Sequence, residues 1–423
     1  MGKVLISPLG TGRRNEALNR EERDYLKAHY RIDDTDYPQR EFVASVLYDH
    51  FNLDDIYFIG TVKSIWERVY EYFCQANDRP TDEDYWLQLA QTIEGADRNI
   101  SPDSLDLQAV ERAISPNSKG ILIDYGLTES EIWNNLDKIV TAIYSLNEGD
   151  EIYLDITHSF RSLSLFQFLA IDFIKDLLAE KRITIAGVYY GMLDVQGELG
   201  YAPIVNLYPM VEMMDWVKGT YSLKNFGNGY LISQLLEKRE EPETAQQIRK
   251  LSQAINTNYT TTIQQQSSSL KKRFQDNETQ GPFQYVKPIL KDVAERFARS
   301  GHKQKSSQYQ LNLAGWYFAN ERYATGYIAL AEAVISYLCE YQGKDPEDDD
   351  CRDSIRETIK TDKRLKRTEL VKLYQKHINP IRNNIAHASL NSNKGAGFDK
   401  AVTRAEEFHQ KVKQIFNGGH LNF

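Results

Sequence analysis

The chain has 423 residues, 41% hydrophobic and 26% charged, a balance too apolar for a disordered polypeptide and long enough for roughly two or three domains. Lys plus Arg number 51 and Asp plus Glu 60, so the formal net charge is −9, which argues against a general polyanion binder but leaves room for a local basic groove. No apolar run approaches the ~18 residues of a membrane span, the opening run Lys3–Ser7 is too short for a signal peptide, and three scattered cysteines (Cys74, Cys339, Cys351) suit a reduced cytoplasm better than a disulfide framework or a cysteine zinc site.

Strand and helix signals alternate over residues 1–210. Lys3–Ser7 is a buried-strand run that ends at once in Pro8-Leu9-Gly10-Thr11-Gly12, a glycine loop. Asp55–Thr61, Glu151–Ile156 and Ile183–Tyr190 repeat the apolar strand pattern, and Ile132–Leu146 and Leu163–Leu178 carry apolar residues at helical spacing. Such alternation predicts a mostly parallel, doubly wound sheet. Residues 76–118, with Pro80, Pro102 and Pro116, read as a partly helical insertion over the sheet edge. Residues 211–305 read as a polar, helical connector with a Gln/Ser/Thr-rich passage at Thr257–Ser269. From residue 306 to 423 the chain reads as all-helical, with Gln310–Tyr341 as one long amphipathic stretch and an acidic loop at 345–350.

Three strand ends bring candidate ligand groups to one sheet edge, where doubly wound folds bind ligands. The first end is Leu9-Gly10-Thr11-Gly12-Arg13, whose glycines allow backbone N–H groups to approach an anion. It lacks both the dinucleotide fingerprint and the Walker lysine–serine pair, and a plain turn is an equal reading. The second is Gly60-Thr61-Val62-Lys63, and the third Asp155-Ile156-Thr157-His158-Ser159-Phe160-Arg161. Here Asp155 is either a ligand contact or a helix cap, and His158 either a ligand contact or a structural histidine.

The segment Asn379-Pro380-Ile381-Arg382-Asn383-Asn384-Ile385-Ala386-His387 reads as a helix start, an Asn cap with proline at the first helical position. That reading puts Arg382 in the first turn near the positive dipole end, with Asn383 and His387 on one face four positions apart. A cation, an amide and an imidazole around a phosphate-favouring spot are the equipment for RNA cleavage by internal attack of a 2′-hydroxyl. The histidine moves the proton and the arginine holds transition-state charge. No metal is expected, and Arg352–Arg382 holds ten Lys/Arg against four Asp/Glu, either a solvated face or a track for an RNA backbone. His377 and His409 are rival histidines, the latter expected at the surface. Glu332 is either packed against this site or an ordinary helix polar residue.

Asp155-Ile156-Thr157-His158-Ser159-Phe160-Arg161 resembles the Asp-x-Thr-His-Gly motif of CRISPR-associated proteins with a CARF sensor domain, with Ser159 in place of the glycine. Ser7–Gly12 and Gly60-Thr61 are similar to the same family, and Arg382–His387 resembles the Arg-polar-x3-His signature of HEPN ribonucleases. The resemblance implies a Rossmann-like α/β CARF domain over residues 1–210, then the helical connector, then an all-α HEPN domain over 306–423. It implies allosteric activation by a cyclic oligoadenylate, with cyclic tetra-adenylate the expected ring, bound by Leu9, Gly10, Thr11, Gly12, Arg13, Thr61, Lys63, Asp155, Thr157, His158, Ser159 and Arg161. It implies metal-independent cleavage of single-stranded RNA by Arg382, Asn383 and His387 in type III CRISPR antiviral defence. It further implies a cytoplasmic homodimer with no membrane partner and no cofactor. A non-enzymatic nucleotide sensor whose helical domain binds a partner or DNA is the alternative. A further option is an N-terminal domain that degrades its own ligand through Thr61, Lys63, Thr157 and His158.

Overall fold

The structure, a computed structural model, describes residues 2–14, 23–24, 27–97, 100–158, 161–276, 281–299, 304–387, 397–419 and 421. The chain divides into two compact units, Met1–Val211 and Glu212–Phe423.

Among the described residues the first unit holds ten strands: β1 (Lys3–Leu9), β2 (Arg13–Arg14), β3 (Arg23–Asp24), β4 (Ala28–Ile32), β5 (Thr35–Arg40), β6 (Asp55–Gly60), β7 (Lys119–Leu122), β8 (Glu151–Asp155), β9 (Thr184–Gly191) and β10 (Ala202–Asn206). Its helices are α1 (Val43–Phe51), α2 (Trp66–Ala76), α3 (Glu83–Gly95), α4 (Gln108–Ile114), α5 (Glu129–Tyr144), α6 (Arg161–Asp172) and α7 (Gln196–Leu199). Eight strands form one sheet in the order β5-β4-β10-β9-β8-β1-β6-β7, while β2 and β3 make a separate ribbon. The centre β9-β8-β1-β6-β7 is parallel; β10 runs antiparallel to β9, and β5 antiparallel to β4. Side chains alternate across each strand, so β1 sends Leu5 and Leu9 into one apolar cluster and Val4 and Ile6 into another. Residues of α1, α2, α3 and α4 close the first cluster; those of α5 and α6 close the second.

The parallel centre agrees with the expected doubly wound pattern. Four sheet strands were not expected: β4, β5, β7 and β10. The 76–118 segment supplies α3 and α4, whose Leu89, Ile93, Val110 and Ile114 are buried in the first cluster.

In the second unit, α8 (Tyr208–Phe226), which spans the point of division, is followed by α9 (Tyr230–Lys238), α10 (Pro242–Thr257), α11 (Thr260–Asp276) and α12 (Phe283–Phe297). Then come α13 (Ser306–Ala319), α14 (Tyr323–Tyr341), α15 (Asp349–Thr361), α16 (Glu369–Leu373), α17 (Asn379–Ala386), α18 (Phe398–Thr403) and α19 (Ala405–Gly418). One apolar core, including Trp216, Phe297, Tyr317, Tyr327 and Phe408, runs through the unit. Its buried phenols find acceptors, Tyr317 on the Ile255 carbonyl at 2.8 Å and Tyr327 on the Ala401 carbonyl at 2.9 Å. The stretch expected as one helix over Gln310–Tyr341 is instead two, α13 and α14, broken at Asn320–Arg322 where Glu321 takes φ +57°. A left-handed residue cannot continue an α-helix, so the chain reverses and the two helices pack on each other. Among the described residues no helix is long and apolar enough to cross a membrane.

Candidate functional site

In the parallel sheet, β1 leads on to β6 on one side, while β8, its neighbour on the other side, leads to β9. The direction of winding therefore switches between β1 and β8, and the crevice opens beyond their carboxyl ends. Ser7 and Asp155 join the strands there: the Ser7 hydroxyl donates to Asp155 Oδ2 at 2.8 Å. The Thr157 N–H donates to Asp155 Oδ1 at 2.8 Å, which folds the loop back on its own aspartate. Gln167 holds the Asp155 carbonyl at 2.8 Å, and Thr157 Oγ1 accepts the Gly191 N–H at 2.9 Å. Asp155 is 0% exposed and engaged on both oxygens, so its work is to shape the loop. Burial, and secondarily the Asp155 charge, push the Tyr30 phenol beneath it up to about 12. Loss of hydration holds the His158 imidazole below its usual range, against an opposing pull from Asp155.

The first two loops are tied together by Ser64, which donates to the Leu9 carbonyl at 2.7 Å and accepts the Thr61 N–H at 3.0 Å. The Ile65 N–H reaches the Gly10 carbonyl at 3.1 Å, and Trp66 Nε1 the Thr61 carbonyl at 2.9 Å. A Cβ on Gly60 would lie 2.8 Å from both Ser64 Oγ and Trp66 Cζ2, so this bracket needs glycine there. Gly12 sits at φ +66°, a left-handed turn that glycine adopts without strain. Leu9 and Thr61 are buried, while Gly10, Thr11, Gly12 and Lys63 are half-exposed. Thr61 Oγ1 has no hydrogen-bond partner among the described residues. Arg13 opens β2, paired with Asp24 of β3, and Arg161 opens α6; the side chains of both lie outside what is described, as does Ser159. Sequence reasoning missed Tyr30, Gln167 and Gly191, which come from β4, α6 and β9 and carry no local motif.

In the second unit the expected helix start at Asn379–Pro380 is absent. Residues 369–386 run on through α16, a π turn at Tyr374–Ile378, and α17, and Asn379 itself has helical dihedrals (φ −66°, ψ −39°). The Asn379 N–H donates to the Tyr374 carbonyl five residues back. Pro380 has no N–H and its ring crowds the carbonyl four residues back, and the widened turn just before it accommodates the ring inside a continuing helix. Arg382, Asn383 and His387 therefore lie towards the carboxyl end of a helix, with His387 at its cap (φ −95°, ψ 12°) and its N–H on the Asn383 carbonyl at 2.9 Å. Among the described residues no free helix N–H groups or positive dipole end stand there. A phosphate at this spot depends on side-chain cations.

Those cations are gathered by Glu332 of α14. Its Oε2 accepts from Arg352 and, at 3.2 Å, from Arg356, both of α15; its Oε1 lies 3.8 Å from Arg382 Nη2. Arg382 also donates to Asn383 Oδ1 at 2.9 Å. Burial first, then the Glu332 charge, raise the neighbouring Tyr374 phenol. His387 is exposed. Of the rival histidines, His377 stacks on Phe408 (5.3 Å, 6°), and His409, expected at the surface, is buried with Nε2 3.1 Å from the Leu311 carbonyl. Gly315 makes room for it: a Cβ there would stand 2.7 Å from His409 Cε1. Arg356 and Arg382 thus present part-exposed guanidinium groups here, with the Asn383 amide against Arg382 and His387 further along the same helix.

Residues 4–194 match the model of the CARF domain of CRISPR system endoribonuclease Csx1, and residues 212–306 match that of the second domain of CRISPR-associated protein MJ1674. CRISPR-associated protein MJ1674 of Methanocaldococcus jannaschii is 35% identical over 417 residues, an alignment covering 94% of this chain. The chain spans 64% of that relative's length. Among solved structures, Enterococcus italicus Csm6 bound to cyclic hexa-2′-fluoro-hexa-dAMP aligns over 98% of this chain and 95% of its own, at 13% identity and a TM-score of 0.36. On the first of these matches, the N-terminal unit is a CARF domain.

Proposed function

We propose that this chain is a metal-independent endoribonuclease that cuts single-stranded RNA in type III CRISPR defence and is switched on when its CARF domain binds a cyclic oligoadenylate, cyclic tetra-adenylate being the expected ring. The observation that supports this best is the placing of Arg382, Asn383 and His387 at one helix end, in a chain that also carries a CARF domain. In the RNA reaction a 2′-hydroxyl oxygen attacks the adjacent phosphorus, and its proton passes to a neutral imidazole, the role given to His387. Arg382 holds the negative charge that builds on the phosphorane oxygens. The 5′-oxygen leaves with a proton, giving a 2′,3′-cyclic phosphate and a 5′-hydroxyl, and water is not consumed.

The activator crevice is assigned to the Gly10, Thr61 and Thr157 loops, with Leu9, Gly12, Lys63 and His158 adjoining, and with Arg13, Ser159 and Arg161 as flanking groups. A cyclic oligonucleotide with rotational symmetry suits a site shared by two copies of these loops, and one Arg382/His387 pair supplies a single proton carrier, so a homodimer is the proposed working unit. The testing experiment is cleavage of a labelled single-stranded RNA in EDTA, with and without cyclic tetra-adenylate. Cutting only with the activator is the expected result. No cutting with tetra- or hexa-adenylate, together with tight ligand binding, would leave a non-enzymatic sensor.

A further inference from the structure

Three guanidinium groups converge on the single carboxylate of Glu332, and they are not equivalent. Arg352 is 12% exposed and donates to Ser336 Oγ at 3.0 Å and the Pro346 carbonyl at 2.7 Å as well as to Glu332. These bonds join α14, α15 and the loop between them. Arg356 and Arg382 are 39% and 35% exposed, and they reach the same carboxylate from two different helices, α15 and α17. Arg382 stands 3.8 Å from Glu332, too far for a hydrogen bond, so it keeps N–H donors for another acceptor. Arg356 has one further acidic partner, Asp353 at 2.9 Å, whose side chain is 77% exposed and whose hold is weakened by water and salt. Counting charges, three arginines against Glu332 and Asp353 leave one positive charge in excess. Tyr374, which also faces the carboxylate, is half-buried and its raised phenol is neutral.

We infer that Arg356 is a second binding residue for the phosphate chain of the RNA substrate, and that Glu332 is the positioning residue that holds it in register with Arg382. The inference rests on the ribonuclease reading above. Two part-exposed guanidiniums fixed on one carboxylate form a fork for phosphate oxygens, the geometry for which arginine is suited and lysine is not. Glu332 opposes RNA by its charge and favours turnover by its geometry, and this gives the assignment a signature that loss of packing would not share.

The test uses the full-length chain in two arms. The first measures equilibrium binding of a single-stranded 2′-O-methyl RNA, which lacks the nucleophile, by fluorescence anisotropy across a salt series. The second measures cleavage kinetics on the matching ribo-oligonucleotide with saturating cyclic tetra-adenylate. Arg356→Ala is expected to weaken RNA binding and raise KM about 5- to 20-fold, to flatten the log–log salt slope by about 0.7, and to leave kcat within about twofold. Arg356→Lys keeps the charge, so it is expected to restore the salt slope but only part of the affinity, and it serves if the alanine variant does not fold. Glu332→Gln is expected to bind RNA at least as tightly as the unaltered chain while kcat falls about tenfold, and Glu332→Asp to recover part of that loss. Wild-type affinity and salt slope in Arg356→Ala would overturn the role of Arg356. Weaker binding together with lower kcat in Glu332→Gln would overturn the positioning role. If the unaltered chain cuts no RNA, the ribonuclease reading fails, and the binding arm still decides Arg356.

Discussion

Ser7 of β1 and Asp155 of β8 are joined by a buried hydrogen bond of 2.8 Å across the strand pair where the winding of the sheet reverses. One aspartate thereby fixes both walls of the crevice, since its second oxygen holds the Thr157 N–H. Removing the hydroxyl leaves a buried carboxylate short of a donor, which costs about 1–3 kcal/mol. Ser7→Ala is therefore expected to lower Tm of the chain by about 2–10 °C and to weaken cyclic tetra-adenylate binding in calorimetry. An unchanged Tm would mean that the bond does not hold the crevice.

Gly60→Ala tests the neighbouring bracket. Its new methyl would collide with Ser64 and Trp66, which together tie the Thr61 loop to the Leu9–Gly10 loop. Overpacking of this kind costs about 1–3 kcal/mol. The expected outcome is loss of ligand affinity with RNA binding by the second unit retained, read by calorimetry and anisotropy on the same preparation.

Acid should destabilise the chain through its histidines. Burial lowers the folded-state pKa of His158, His377 and His409 below the ordinary value of about 6.5. Below about pH 6.5 the unfolded imidazoles take up protons that the folded ones refuse, so the unfolded state binds more protons and stability rises with pH. Their contribution is whole above pH ~6.5 and is lost as pH falls from there through the lowered folded values. Tm measured from pH 7.5 to 5 is expected to fall, and His409→Gln to fall less steeply. A variant with the same slope would remove His409 from the account.

Much of the central sheet was legible, because strands buried on both faces read as apolar runs, as β1, β6, β8 and β9 do. The strands β4, β5, β7 and β10 were not, and three of the four lie at or beside the sheet's margins: the edge strand β5, Thr-Asp-Tyr-Pro-Gln-Arg, carries a proline and is mostly exposed. Asn-Pro was read as a helix start because Asn is favoured at the N-cap and Pro at the first helical position. The π turn that absorbs Pro380 has no such local signal. His409 looked superficial among Glu406, Glu407, Lys411 and Lys413, yet its burial is decided by Gly315, distant in sequence. The convergence of Arg352, Arg356 and Arg382 on Glu332 joins three helices and is visible only in space. Arg382 and His387 were singled out from their spacing, and their place on the helix was read at the wrong end.

The proposed activity carries the largest expected effects. Arg382→Ala and His387→Ala should each lower RNA cleavage at least about 10²-fold, from loss of charge stabilisation and of proton transfer respectively. Both variants should bind cyclic tetra-adenylate as the unaltered chain does, since the residues assigned to that ligand belong to the other unit.

The most direct measurement is the initial rate of single-stranded RNA cleavage in EDTA, with and without cyclic tetra-adenylate, for the unaltered chain and for His387→Ala side by side. The account predicts ligand-dependent cutting that leaves 2′,3′-cyclic phosphate ends and is abolished by the substitution. Equal cutting by His387→Ala, or cutting that vanishes in EDTA, would contradict it.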